Sequence, residues 1–191
     1  MTGIIFLGAP GVGKGTQSAI LAEELGIPAI STGAIFRSNI EQGTELGKLA
    51  EGYMSRGELV PDSVTNSMVD ARLSSDDVQE GFLLDGYPRN LDQAHKLRDM
   101  LAEKGLTIDV VIEIDAPEDV LVAHMLKRAG EESRADDTPE VFARRLEEYH
   151  LRTAPIASYY SDQDLVVTVD GVGTIEEVSQ RVLDGVKQAR V

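Results

Sequence analysis

The sequence predicts an α/β fold in which helices cover both faces of a five-stranded parallel sheet. Five short apolar runs alternate along the chain with longer segments of helical periodicity, and this alternation is typical of strand–helix–strand units with right-handed crossovers. A glycine-rich loop with a lysine follows the first apolar run directly and precedes a helical pattern. The length of 191 residues suits one domain with small insertions.

The five predicted strands include several continuous runs of aliphatic and β-branched residues. Continuous runs are expected for parallel strands, because helices bury both faces of such a sheet. The predicted strands are residues 4–7, 27–30, 82–84, 110–114 and 165–169.

The predicted helices carry recognisable start signals. Pro117 stands in a first turn behind Asp115, Thr138 precedes another proline, and Thr174 with Glu177 forms a capping box. The predicted helices are residues 16–25, 91–104, 117–128, 139–149 and 175–186.

Two stretches interrupt the alternation of strands and helices. Residues 32–74 are helical in pattern but contain no strand, so we expect a helical insertion between the second and third strands. Residues 130–137, GEESRADD, are short and charged and are expected to form a mobile loop between two helices. Both are expected at the carboxyl ends of the strands, where ligands bind in open α/β sheets.

The loop GAPGVGKGT, residues 8–16, has the composition of a phosphate-binding loop (P-loop). Its glycines allow backbone N–H groups to converge, the following helix directs its positive end at the same point, and Lys14 adds a full charge. Gly15 stands where the general pattern has Ser or Thr, and Thr16 follows one residue later. The loop therefore predicts a three-layer P-loop fold and a nucleotide polyphosphate site, with a metal held more by a carboxylate and waters than by Thr16.

Composition excludes several kinds of partner. The net charge of −15 argues against nucleic acid and anionic membranes, and it requires cations to be concentrated wherever phosphate binds. The chain has no cysteine, which excludes disulfides and zinc–thiolate sites. No apolar run approaches about 18 residues and no signal peptide is visible, so we predict a cytoplasmic protein without a membrane span.

A second group of polar residues lies near the third predicted strand. Asp85 ends that strand, where P-loop proteins place the acid that holds magnesium; a helix or turn cap is the alternative. Arg89 follows a proline-containing turn and suits bidentate binding of phosphate. Arg37 could do the same from the insertion, or could be a solvated surface charge. Asn90 and Gln93 have the spacing of a capping box, so Gln93 could be a cap or a ligand residue.

Five motifs, in their order and spacing, resemble the adenylate kinases with a short lid. They are GAPGVGKGTQ, STGAIFR, GELVPD, GFLLDGYPRNLDQA and RADDTPEVFARRLEEY, and they cover nearly the whole chain. The placement of Gly15 and Thr16 is this family's own form of the loop. The resemblance implies a magnesium-dependent phosphotransferase that reversibly moves the γ-phosphoryl group of ATP to AMP, giving two ADP, in adenine nucleotide homeostasis.

The resemblance also implies site residues, matched position by position. Those implied for ATP are Gly11, Val12, Gly13, Lys14, Gly15, Thr16, Arg128 and Gly173, the last by a backbone contact near the base. Those implied for AMP are Thr32, Arg37, Glu58, Leu59, Val60, Gly86, Tyr87, Pro88, Arg89, Gln93, Arg134 and Arg145. The implied catalytic cations are Lys14, Arg89, Arg128, Arg134 and Arg145. Gln93 would read adenine, Asp85 would hold magnesium through water, and Asp136 or Asp137 would hold the lid arginines.

Phosphoryl transfer is mostly a matter of positioning and charge neutralisation. We therefore expect six cations, Lys14, Arg37, Arg89, Arg128, Arg134 and Arg145, to converge on one cleft. The acceptor is already an oxyanion, so no general base is required, and His95, His124 and His150 are expected on helix surfaces.

The implied organisation is a single P-loop kinase domain with a core of residues 1–30, 61–126 and 138–191. Residues 31–60 would be the helical insertion that binds the nucleoside monophosphate, and residues 127–137 the short lid. The lid contains no Cys or His, so no structural zinc is expected. The expected partners are ATP, AMP and ADP, and the expected state is a monomer.

Three other functions compete with this interpretation. A UMP or CMP kinase of the same fold is disfavoured by Thr32 and Gln93, and a GTPase would need a guanine motif Asn-Lys-x-Asp that is missing. A catalytically silent nucleotide-binding module is disfavoured by the six cations. The chain departs from the family at Ala34, where an acid is usual, and at His124, where an arginine near the ATP base is common.

Overall fold

The computed structural model describes residues 3–131 and 138–189, with side chains for residues 3–127 and 138–189. Its five strands form one sheet of order β2-β3-β1-β4-β5, in which every pairing is parallel. The strands are Gly3–Leu7 (β1), Ala29–Ser31 (β2), Phe82–Asp85 (β3), Val110–Asp115 (β4) and Val166–Asp170 (β5). The predicted α/β fold class is therefore confirmed.

Nine α-helices lie within the described residues. They are Lys14–Leu25 (α1), Thr32–Glu41 (α2), Glu45–Met54 (α3), Asp62–Leu73 (α4), Leu91–Lys104 (α5), Glu118–Glu131 (α6), Pro139–Glu148 (α7), Ala154–Ser161 (α8) and Ile175–Ala189 (α9). No helix of this part of the chain combines the length and the apolar character that crossing a membrane requires.

Helices cover both faces of the sheet, which gives three layers. Along β1, Ile4 and Phe6 join a core cluster with residues of α1, α6, α7 and α9, whereas Ile5 and Leu7 join a second cluster with residues of α4, α5 and α8. Successive side chains of a strand point to opposite faces, so a strand covered on both faces needs apolar residues at every position. This is why the strands appear as continuous apolar runs.

The predicted helical insertion consists of α2, α3 and the start of α4. Phe36, Ala50 and Val60 form a small cluster of their own, whereas Val69 and Leu73 of α4 belong to a main core cluster. Thr44 begins α3 by accepting a hydrogen bond from the Gly47 N–H at 3.0 Å. The helices of the insertion thus rest on a separate apolar contact above the sheet.

Two sequence-based boundaries were wrong. Helix α6 continues through Glu131, so residues 130 and 131 are helical and not part of a loop; a glycine costs a helix only about 1 kcal/mol relative to alanine. Residues 132–137 of the predicted loop lie outside the described residues.

The helix predicted to end at residue 149 does not lead into a loop. It passes through the π-helical turn Tyr149–Thr153 into α8. Pro155 favoured a helix end in this region, but it occupies the first turn of α8, where its missing N–H costs nothing.

Candidate active site

A cleft of about 870 Å³ opens at the carboxyl ends of β1, β2 and β3. Its walls are the loop of residues 8–16, the start of α1, the insertion, the turn after β3 and parts of α6 and α7. The first strand is central in the sheet and β3 is its direct neighbour. The cleft therefore occupies the position at which ligands bind in open α/β sheets.

The loop after β1 has the backbone geometry of an anion-binding loop. Gly13 has φ 96° and caps α1, so the helix begins directly at Lys14. Gly11 has φ +87°, and a Cβ added there would lie 2.8 Å from the Leu121 carbonyl oxygen. The Lys14 Nζ donates to the carbonyl oxygens of Gly8 and Ala9 at 2.6 and 2.8 Å. The loop thus packs closely against α6 and holds the ammonium group at its rim.

Asp85 ends β3 at the floor of the cleft and is 8% exposed. It pairs in register with Phe6 of β1 and Ser31 of β2, and the Ser31 hydroxyl donates to its Oδ2 at 3.1 Å. A Cβ added to Gly15 would lie 3.9 Å from this Oδ2, so the carboxylate faces the first turn of α1. Side-chain and backbone oxygen is therefore the donor type available beside the phosphate-binding loop.

This donor set fits magnesium, which is usually held by one or two carboxylates together with waters and substrate phosphates. Among the described residues, no group of three or more His, Cys, Asp or Glu side chains could hold a metal ion by itself.

Arg89 is held against the turn that follows β3. Its Nε donates to the Gly86 carbonyl oxygen at 2.8 Å, and the Thr32 hydroxyl donates to the same oxygen at 2.8 Å. The Thr153 hydroxyl, from the π-helical turn, donates to the Arg89 carbonyl oxygen at 2.8 Å. Gly86 has φ +75°, and a Cβ there would lie 2.9 Å from both Arg89 Nη2 and Thr32 Oγ1. Glycine is thus required where these two side chains converge.

Burial lowers the pKa of the Arg89 guanidinium. Asp85 opposes this effect, and the nearby charges of Arg145 and Arg37 reinforce it. An arginine remains protonated under these conditions. The direction of the shift shows that the positive charges are crowded, which is favourable only where anions offset them.

Four of the six predicted cations line this one cleft: Lys14, Arg37, Arg89 and Arg145. The guanidinium of Arg37 lies over Gly33, whose added Cβ would be 3.2 Å from Nη1. The side chain of Arg128, together with Arg134, Asp136 and Asp137, falls outside the described residues. Lys127 also lines the cleft and was missed by sequence reasoning, although its place beside Arg128 at the end of α6 was a usable signal.

Gln93 is 2% exposed and lines the cleft. Its Oε1 accepts from the Arg89 N–H at 2.8 Å, and its Nε2 donates to Asp62 Oδ1 at 2.7 Å. Asn90 caps α5 by accepting from the Gln93 N–H at 2.8 Å. The Gln93 side chain does not return to the Asn90 backbone as a capping box requires, so that alternative was wrong for its amide.

The other predicted residues divide between the cleft wall and the core. Those that line the cleft are Gly11, Val12, Gly13, Gly15, Thr16, Thr32, Glu58, Leu59, Val60, Gly86, Pro88 and Gly173. Tyr87 is the exception, because its side chain is fully buried in a core cluster and its hydroxyl donates to Asn66 Oδ1 at 2.6 Å. Any contact of Tyr87 with a ligand would therefore be limited to its backbone.

His124, expected on a helix surface, is exposed but also lines the cleft, with its Nδ1 3.0 Å from the Gly11 carbonyl oxygen. Gly11 O can only accept, so the Nδ1 is the protonated ring nitrogen in this contact. His95 and His150 are exposed on their helices. At position 34, where the chain has alanine, the Ser31 hydroxyl accepts from the Ala34 N–H at 3.4 Å and caps α2.

Comparison with known proteins points in one direction. A sequence profile of the family described as Adenylate kinase matches residues 6–165. A protein named Adenylate kinase from Thermobifida fusca (strain YX) is 50% identical over 184 residues, covering 96% of this chain and 97% of the relative. A protein of the same name from Kocuria rhizophila is 51% identical over 183 residues, with 96% and 97% covered. Another, from Bifidobacterium longum (strain NCC 2705), is 51% identical over 180 residues, with 94% and 97% covered.

Proposed function

Because the chain belongs to the adenylate kinase family, we propose that the cleft described above binds ATP and AMP with their phosphates facing each other across Asp85. The enzyme is a phosphotransferase that reversibly transfers a phosphoryl group between ATP and AMP, giving ADP. The observation that carries the placement is the convergence of Lys14, Arg37, Arg89 and Arg145 on one cleft of a chain whose net charge is −15.

On the ATP side, the loop from Gly11 to Thr16 would hold the phosphates with its backbone N–H groups. The N-terminus of α1 adds partial positive charge at the same point. Lys14 would leave the carbonyl oxygens of Gly8 and Ala9, only 2.6 and 2.8 Å away, to bind the β- and γ-phosphates. Gly173 and His124 lie on the wall where the ATP base would be placed.

On the AMP side, Arg89 and Arg37 would bind the phosphate and the insertion would cover the nucleoside. Arg89 is suited to this because Gly86 and Thr153 fix its side chain and backbone from opposite sides, so little freedom is lost on binding. Residues 58–60 would border the base, and Gln93 would read its edge. Glu58 already has a partner in Arg56, whose hydrogen bond lowers the pKa of that carboxyl, so we assign Glu58 only a backbone role.

The described cations, with Arg128 and Arg134, would neutralise charge during transfer. In a loose transition state the negative charge lies on the equatorial oxygens of the transferred group, and fixed cations stabilise it without reorganisation. Magnesium, when bound near Asp85 with ATP, would neutralise charge on the phosphate oxygens. No general base is assigned, because the attacking AMP oxygen is already ionised.

We propose that the insertion of residues 31–60 and the lid of residues 127–137 close over the two nucleotides. The separate cluster of Phe36, Ala50 and Val60 supports the view that the insertion moves as one unit on the core of residues 1–30, 61–126 and 138–191. Closure is needed because water would otherwise compete with AMP for the phosphoryl group.

We further propose that the enzyme acts as a monomer in the cytoplasm. One chain supplies the residues of both proposed nucleotide sites, so a second copy is not needed to complete the cleft. The pools of ATP and AMP that the reaction uses are cytoplasmic.

A coupled assay for ADP formation tests the proposal directly. The enzyme is given ATP and magnesium with AMP, UMP, CMP or GMP in turn, and then with no acceptor. We expect strong preference for AMP and little ADP without an acceptor. Preference for a pyrimidine nucleotide would contradict the roles of Thr32 and Gln93, whereas ADP formation without acceptor would contradict the proposed closure.

A further inference from the structure

Asp62 lies in the first turn of α4, beside the proposed AMP site, and is partly buried. Its Oδ1 accepts from Gln93 Nε2 at 2.7 Å, and both of its carboxylate oxygens lie 3.1 Å from Asn90 Nδ2. An acid in the first turn of a helix is common for reasons of helix stability alone. The contacts of Asp62 are made with other elements, however, and one of them is the amide of Gln93.

The Gln93 amide is held in one orientation by two partners of opposite kind. The Arg89 backbone N–H can only donate, so it requires the amide oxygen, and the Asp62 carboxylate can only accept, so it requires the amide nitrogen. Rotating the amide by 180° would set donor against donor at one contact and acceptor against acceptor at the other.

These contacts leave a defined hydrogen-bonding capacity on the cleft side. A glutamine amide has two N–H donors and two acceptor lone pairs, and the protein uses one of each. One donor and one acceptor remain, in an order that the lock fixes. Adenine presents an N6 amino donor beside the N1 acceptor, whereas a 6-oxopurine presents an O6 acceptor beside an N1–H donor. The two purine types therefore need opposite orientations of this amide.

We propose that Asp62 is a positioning residue that sets purine specificity, by locking the Gln93 amide in the orientation that accepts AMP and rejects 6-oxopurine nucleotides such as IMP. The proposal rests on the proposed contact of Gln93 with the base. IMP is the informative competitor, because it differs from AMP only in the 6-substituent and the proton on N1.

The test compares kcat/KM for AMP and IMP in Asp62→Asn. This change keeps the shape of the side chain but lets it donate or accept, so both orientations of Gln93 gain a partner. We expect the AMP to IMP ratio to fall about tenfold, the usual effect of one hydrogen bond to a charged group. Asp92→Asn is the matched control, because Asp92 is an exposed first-turn acid next to Gln93, and it should leave the ratio unchanged.

Gln93→Leu separates the two levels of the proposal. If it leaves the AMP to IMP ratio unchanged, Gln93 does not read the base and the inference about Asp62 is overturned together with that contact. If it lowers the ratio while Asp62→Asn does not, only the lock is overturned. If Asp62→Asn lowers kcat/KM for both nucleotides equally, Asp62 is merely structural and the lock is again overturned.

The double variant tests whether Asp62 acts through Gln93. In the Gln93→Leu background, Asp62→Asn should not change the ratio further, and an additive change would overturn the mechanism. Asp62→Ser is the second variant if Asp62→Asn does not fold, because a hydroxyl can also donate or accept and is well tolerated at a helix start. It is expected to lower the ratio in the same direction.

Discussion

Gly86→Ala should damage the AMP site without disturbing the ATP site. An added Cβ would lie 2.9 Å from Arg89 Nη2 and from Thr32 Oγ1, against about 3.4 Å or more for ordinary contact. The guanidinium must therefore retreat by about 0.5 Å. Because a misplacement of about 1 Å costs a reaction about 100-fold, we expect kcat/KM for AMP to fall roughly tenfold while the KM for ATP stays unchanged.

The same change also strains the backbone, since φ is +75° at Gly86. This should lower the free energy of unfolding by about 1 kcal/mol, measurable by urea denaturation. Gly105→Ala is the control: φ is +66°, the residue ends α5, and an added Cβ meets no atom within 4 Å. It should show the same loss of stability with unchanged kinetics. A similar loss of AMP activity in both variants, or no loss in Gly86→Ala, would refute the reasoning.

Two further predictions concern the phosphate site and alkaline stability. Lys14→Ala should lower kcat about 100-fold or more, the usual effect of removing one group that stabilises transition-state charge, with a normal circular dichroism spectrum; Lys96→Ala, on the exposed face of α5, is the control, and unchanged activity of Lys14→Ala would contradict the phosphate assignment. Burial raises the pKa of Tyr149 from 10 to about 12, with Glu113 and Asp115 adding to the shift. Between about pH 10 and 12 the unfolded chain has lost this proton and the folded chain has kept it, so stability should fall as the pH rises through that range. Tyr149→Phe should make the decline shallower in urea titrations, and an identical decline would show that the phenol does not contribute.

The parallel sheet could be predicted because its signal is local and repeated. Each strand buries both faces, so every position is apolar and the run stands out from its surroundings. The segment from Tyr149 to Ser161 could not be predicted in the same way. A π-helical turn depends on the tertiary contacts of its residues, such as the hydrogen bond from Thr153 to the Arg89 carbonyl oxygen, and it has no distinct local pattern.

The candidate site shows the same division. Lys14, Asp85 and Arg89 were predictable because each follows a strand in a short motif whose geometry is set by its neighbours. Lys127 was missed although it lines the same cleft, since it stands within a helical pattern that carries many exposed charges. Tyr87 was included in the predicted site because it lies between two site residues, yet its side chain packs into the core.

The sequence by itself determined the fold class, the phosphate-binding loop and the family, because these depend on residue types at fixed short spacings. Only the tertiary structure decided which side chains meet across large separations in the chain. Asp62 and Gln93 are 31 residues apart, and Thr153 and Arg89 are 64 apart. Contacts of this kind depend on how the helices pack on the sheet. The spacing of residues along the chain does not specify that packing.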